Sequence, residues 1–106
     1  MIDERSIREL TDRIVREFNP ERIILFGSYS YGTPFEGSDI DLLVVLPFEG
    51  HGIRKAAEIV DRVKPTIPVD IVVRTPEDIE RRLGLNDFFL KEIVGSGKVL
   101  YESPHS

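Results

Sequence analysis

Ile7, Leu10, Ile14 and Phe18 recur at three- and four-residue spacing, with charged residues between them. That is the period of a helix with one apolar stripe. The spacing predicts a helix from Asp3 to Phe18, ended by Asn19-Pro20, because proline cannot continue it. Arg22 to Phe26, "RIILF", is short, apolar and rich in β-branched residues, and Gly27 closes it. It reads as a strand buried on both faces. Asp39 to Leu46, "DIDLLVVL", predicts a second strand, stopped by Pro47. From Ile53 to Val63, the residues Ile53, Ala56, Ala57, Val60 and Val63 form an expected apolar helix face. Val69 to Val73, "VDIVV", predicts a third strand. Thr75-Pro76 has the form of a helix start, Thr75 as N-cap and Pro76 in the first position. Asn86 is the expected cap of a last helix through about Val94, which Gly95 and Gly97 stop. "KVLY", Lys98 to Tyr101, suits a short closing strand. The expected fold class is α/β (α+β): a small mixed β-sheet flanked by helices.

Composition narrows the classes. A chain of 106 residues suits one domain, taken as 1–106, with no repeat, low-complexity tract or linker. No run approaches the roughly 18 apolar residues of a membrane span, and the start lacks a signal-peptide pattern. There is no cysteine, so disulfides and thiolate metal sites are excluded. The expected location is cytoplasmic, with no membrane partner. A net charge of −5 argues against a sequence-independent grip on nucleic acid, which needs a cationic face. It leaves nucleotide binding open, because a divalent metal reverses local charge.

Two aspartates stand inside one of the most apolar runs, in "GSYSYGTPFEGSDIDLL". Side chains alternate along a strand, so Asp39 and Asp41 share a face roughly 6–7 Å apart, with Ile40, Leu42 and Val44 on the other. Asp70 repeats the theme inside "PVDIVV" and reaches the same place if the second and third strands are neighbours. An unpaired buried carboxylate costs several kcal/mol, and these strands carry no cluster of lysine or arginine. Three converging carboxylates would also repel one another, and a hard divalent cation with oxygen ligands, Mg²⁺ foremost, resolves both problems. Taken singly, Asp39 suits an ordinary turn cap and Asp70 an exposed sheet edge. Gly27-Ser28 follows a strand directly. Glycine permits close backbone approach, and the following amides and the Ser28 hydroxyl suit phosphate oxygens.

These residues resemble the minimal nucleotidyltransferases of the DNA polymerase β-like superfamily. The shared pattern is Gly-Ser, a spacer, Asp-x-Asp on the next strand and a third Asp on a later one. Gly27-Ser28, Asp39-x-Asp41 and Asp70 fill it, and the likeness runs from the first helix to "GKVLYE". It implies transfer of a nucleoside monophosphate from ATP or another nucleoside triphosphate to a hydroxyl. Asp39, Asp41 and Asp70 would be catalytic and metal-binding, Gly27 and Ser28 would bind nucleotide, and two Mg²⁺ ions would serve as cofactor. Tyr31 stands where many relatives have arginine. Short members resemble the antitoxin of MNT–HEPN toxin–antitoxin pairs, in which the partner is a helical HEPN toxin and AMP is added to a tyrosine. A homo- or hetero-oligomer is expected on the same ground. The alternative expectation is a non-catalytic antitoxin that neutralises its partner by complex formation.

Other polar and aromatic residues carry weaker signals. His51, His105, Arg54, Lys55 and Arg74 are expected as solvated groups. Tyr29, Tyr31 and Phe35 suit shielding a loop, facing a partner or stacking on a base. Phe88 and Phe89 suit the core and partner surface of the last helix.

Overall fold

The computed structural model describes residues 3–27 and 39–104. These form α1 (Glu4–Phe18), β1 (Arg22–Phe26), β2 (Ile40–Val45), α2 (Gly52–Val63), β3 (Val69–Arg74), α3 (Pro76–Gly84), α4 (Phe88–Ser96) and β4 (Lys98–Glu102). The strands make one mixed sheet in the order β3-β2-β1-β4. β1 pairs antiparallel with both β2 and β4, while β2 and β3 run parallel. A parallel pair needs a crossover, and α2 supplies it.

Helix ends follow local chemistry. Asp3 caps α1 by accepting from the Ser6 amide at 2.9 Å. Asn19 ends it in the left-handed region, φ 48°, with its amide donating to the Val15 carbonyl. Short polar asparagine tolerates that conformation better than most residues. Arg13 Nη1 donates to the Val63 carbonyl at 2.8 Å. It thereby satisfies one of the acceptors left open at the end of α2 and joins α1 to α2. Thr75 caps α3 as its sequence predicts, its Oγ1 accepting from the Asp78 amide at 3.0 Å.

Strand alternation divides the core. Ile23, Leu25, Ile40, Leu42, Val44, Ile71 and Val73 meet Ile7, Leu10 and Ile14 of α1 and Ile59 and Val63 of α2 on one face. Ile24, Leu43 and Val45 meet Leu90 and Ile93 of α4 on the other. Burying a side chain of this size contributes about 1.5–3 kcal/mol. Because a one-residue slip would exchange the two faces, this burial pins the register of β2.

Three boundary expectations change. β2 spans Ile40–Val45, so Asp39 precedes the strand and Leu46 follows it. The buried stripe of α2 holds Ile59 and Val63, with Ala56 packed against them, whereas Ile53 is 86% exposed and Val60 also faces outward. The helix has apolar residues on two adjoining faces, and its contact with α1 and β3 selects between them. The last helix runs to Ser96 and is capped by Asp87, whose Oδ1 accepts from the Leu90 amide at 3.1 Å. Asn86 instead holds a left-handed turn, φ 61°, between α3 and α4.

Candidate active site

Asp41 lies near the start of β2, on the face of Leu43 and Val45. The antiparallel register sets it against Phe26, and the parallel register sets it against Asp70. Adjacent strands stand about 4.8 Å apart, so two carboxylates occupy neighbouring positions on one face. The Ile40 amide donates to the Pro68 carbonyl at 3.1 Å, locking the starts of β2 and β3 together. Asp39 is exposed, immediately before β2, and Asp70 is exposed on the edge strand. Asp41 is half-buried.

Gly27 completes the described part. Its φ is +78°, and a Cβ placed there would collide with Asp41 Oδ2. Glycine is therefore required twice, once for the left-handed backbone and once to let a carboxylate rest against the main chain. Ser28, Tyr29, Tyr31, Gly32, Phe35 and Gly37 lie outside the described residues.

Burial pushes the Asp41 carboxyl above its ordinary value, and the charges of Asp70 and then Asp39 raise it further. All three effects penalise the ionised form. Lys55 binds Glu58 at 3.3 Å and sits over the Phe18 ring. Arg74 lies at the far end of β3 from Asp70. Oxygen donors with excess negative charge are the set that a hard dication requires. As the side chains stand, no group of three His, Cys, Asp or Glu among the described residues is close enough to hold an ion. Side-chain rotation would be needed to converge the three aspartates.

An aromatic pair borders the carboxylates. Phe26, beside Asp41 across β1 and β2, meets Phe89 of α4 edge to face, with ring centroids 5.7 Å apart. Phe89 is half-exposed and Phe88 is 81% exposed, while Leu90 and Ile93 fill the core. The sequence marks Phe88 and Phe89 as apolar but holds no local signal that joins them to Phe26. His51 is exposed, as expected, and stands at the N-cap of α2 without a side-chain capping bond.

A model of the nucleotidyltransferase domain matches residues 7–100. A protein of Methanocaldococcus jannaschii named "Putative protein adenylyltransferase MJ0604" is 29% identical over 105 residues, which are 95% of this chain and all of that one. The crystal structure of a "putative nucleotidyltransferase" from Sulfolobus solfataricus shares the fold, with a TM-score of 0.65 at 20% identity over 92% of this chain and 78% of that one. A mutant of the toxin–antitoxin MntA-HpeT has a TM-score of 0.57 at 26% identity, covering 99% of this chain and 76% of its own. A toxin–antitoxin crystal structure with AMP-PNP has a TM-score of 0.56 at 26% identity, over 92% and 75%. The sheet, the helices on both its faces and the match across residues 7–100 make this chain a member of the nucleotidyltransferase domain family, with a polymerase β-like α+β fold.

Proposed function

We propose that residues 1–106 act as one minimal nucleotidyltransferase domain that moves AMP from ATP to a hydroxyl, a tyrosine of a HEPN-type toxin, and so serves as an antitoxin. The observation that carries the reading is the alignment of Asp41 with Asp70 beside Gly27. The name of the Methanocaldococcus relative supports protein adenylylation. The likeness to toxin–antitoxin chains, one crystallised with AMP-PNP, supports a toxin partner and an adenine nucleotide.

Asp39, Asp41 and Asp70 are the residues that would hold Mg²⁺, and their mutual repulsion at Asp41 is the feature a dication would relieve. When bound, Mg²⁺ neutralises phosphate charge and steadies the leaving pyrophosphate. Gly27 and Ser28 would hold the triphosphate through backbone amides and one hydroxyl. Asp70, the exposed member on the edge strand, would take the proton as the acceptor oxygen attacks the α-phosphorus. The bond from that phosphorus to the pyrophosphate oxygen breaks in the same displacement.

The test is co-expression with the neighbouring-gene product, followed by intact mass spectrometry of both proteins. A complex in which the partner gains one AMP supports the reading. A complex without added mass, in the presence of ATP and Mg²⁺, leaves a binding antitoxin. Transfer to a small molecule or an RNA end, with no complex, removes the antitoxin role and keeps the nucleotidyltransferase.

A further inference from the structure

The parallel pair β2 and β3 has two ends, and the carboxylates occupy only the first. Arg74 closes β3 four residues beyond Asp70, about 13 Å along the strand. Around it lies a cavity of about 360 Å³, bordered by Arg74 and Arg82, by the first turn of α2 at Gly52 and Ile53, and by Phe48 and His51. That size falls in the range of small-ligand sites. The carboxyl end of a parallel strand pair is also the usual place for ligands in α/β sheets.

The polar groups there are cationic and incompletely paired. Arg74 Nη1 donates to the Val73 carbonyl at 2.8 Å, while its Nε is buried without an acceptor among the described residues. Arg82 Nε is likewise buried and without an acceptor among the described residues, although its Nη1 lies 3.5 Å from Asp87 and the side chain as a whole is 42% exposed. Buried donors of this kind are seldom left unmet. A Cβ at Gly52 would come within 2.8 Å of the Val73 carbonyl oxygen, so glycine lets the start of α2 press against the end of β3. The amides of that first turn carry the positive end of the helix dipole. One carboxylate also borders the cavity. Asp78 is engaged by Arg81 at 2.7 Å, and its amide donates to Thr75 Oγ1. Of the charged residues that border the cavity, Arg74 and Arg82 exceed Asp78 by one positive charge, in a chain of net −5.

We infer that this cavity is a phosphate-binding site, separate from the acidic cluster, in which Arg74 and Arg82 grip a phosphate group presented to the first turn of α2. Planar guanidinium groups suit phosphate oxygens. The phosphate is either free or the 5′-phosphate of a mononucleotide, and the rings of Phe48 and His51 are among the groups that border the cavity.

The experiment uses the ¹⁵N-labelled full chain in EDTA, titrated with sodium phosphate and separately with AMP at constant ionic strength. The expected result is a saturable shift of the Gly52 and Ile53 amides and of the Arg74 and Arg82 Nε–H signals. Phosphate alone sufficing identifies the free ion, and a response to AMP only identifies a nucleotide. Arg74→Gln and Arg82→Gln should each weaken binding by about tenfold or more, with the remaining spectrum unchanged. The site is disproved if neither titrant shifts these signals, if the shifts gather at Gly27 and Asp41 instead, or if folded Arg74→Gln binds as wild type does. Should either variant unfold, the wild-type shift map alone decides.

Discussion

The α-carbon of Gly27 and the carboxylate of Asp41 are packed so closely that no side chain fits between them. Gly27→Ala should therefore do two things. The left-handed backbone should cost about 1–2 kcal/mol of stability, and the new methyl should displace Asp41 and depress nucleotide transfer. Adding Asp41→Ala to Gly27→Ala should recover part of the stability but none of the activity. Thermal melts and transfer assays on both variants check this.

Asp41 makes stability depend on pH in a defined direction. Its folded value is raised, so its contribution is fully present below the ordinary aspartate value of about 3.9. That contribution is lost as pH rises through the higher folded value. In EDTA, Asp41→Asn should melt above wild type at neutral pH, and the difference should vanish on acidification. With Mg²⁺ and nucleotide the order should reverse, because ligand stabilises only the form that binds it. Melting curves across pH, with and without Mg²⁺, read both effects.

Asp70→Asn should slow single-turnover transfer by about 10²-fold or more, a larger effect than on nucleotide affinity. Its carboxylate is exposed on the edge strand, where an acceptor can reach it. Wild-type single-turnover rates in this variant would remove Asp70 from the chemistry.

Asp87→Ala should cost about 1 kcal/mol through loss of the α4 cap. Asn86→Gly should be neutral or slightly stabilising, because glycine accepts the positive φ of that turn. Denaturant unfolding of the two variants distinguishes the residue that caps from the residue that turns.

Much of this architecture is legible in the sequence because burial and periodicity agree there. Alternation in "DIDLLVV" separates Ile40, Leu42 and Val44 from Asp41, and the folded faces follow that division. Thr75-Pro76 states a helix start in two residues. The misread places are those where local chemistry offers two equal answers. Asn86 and Asp87 are both good caps, and only the backbone geometry assigns one to the turn. In α2, the set Ile53, Ala57 and Val60 competes with Ala56, Ile59 and Val63, and α1 and β3 decide the outcome. The pairing of Asp70 with Asp41 depends on strand neighbours that no local window contains. Arg74 and Arg82 reach one cavity only after α3 turns back along the sheet.

The parallel register of β2 and β3 has a consequence for how the chain tolerates change. Asp70 faces Asp41 only while β3 keeps its register on β2. A one-residue slip of β3 would turn Asp70 toward the face covered by α1 and α2 and take Ile71 out of that core. The core would resist that slip, so Ile71 and Val73 work as alignment keys for chemistry they never touch. Enlarging or trimming either should appear as a loss of turnover before it appears as a loss of fold, and a deep mutational scan should place both among the activity-sensitive positions.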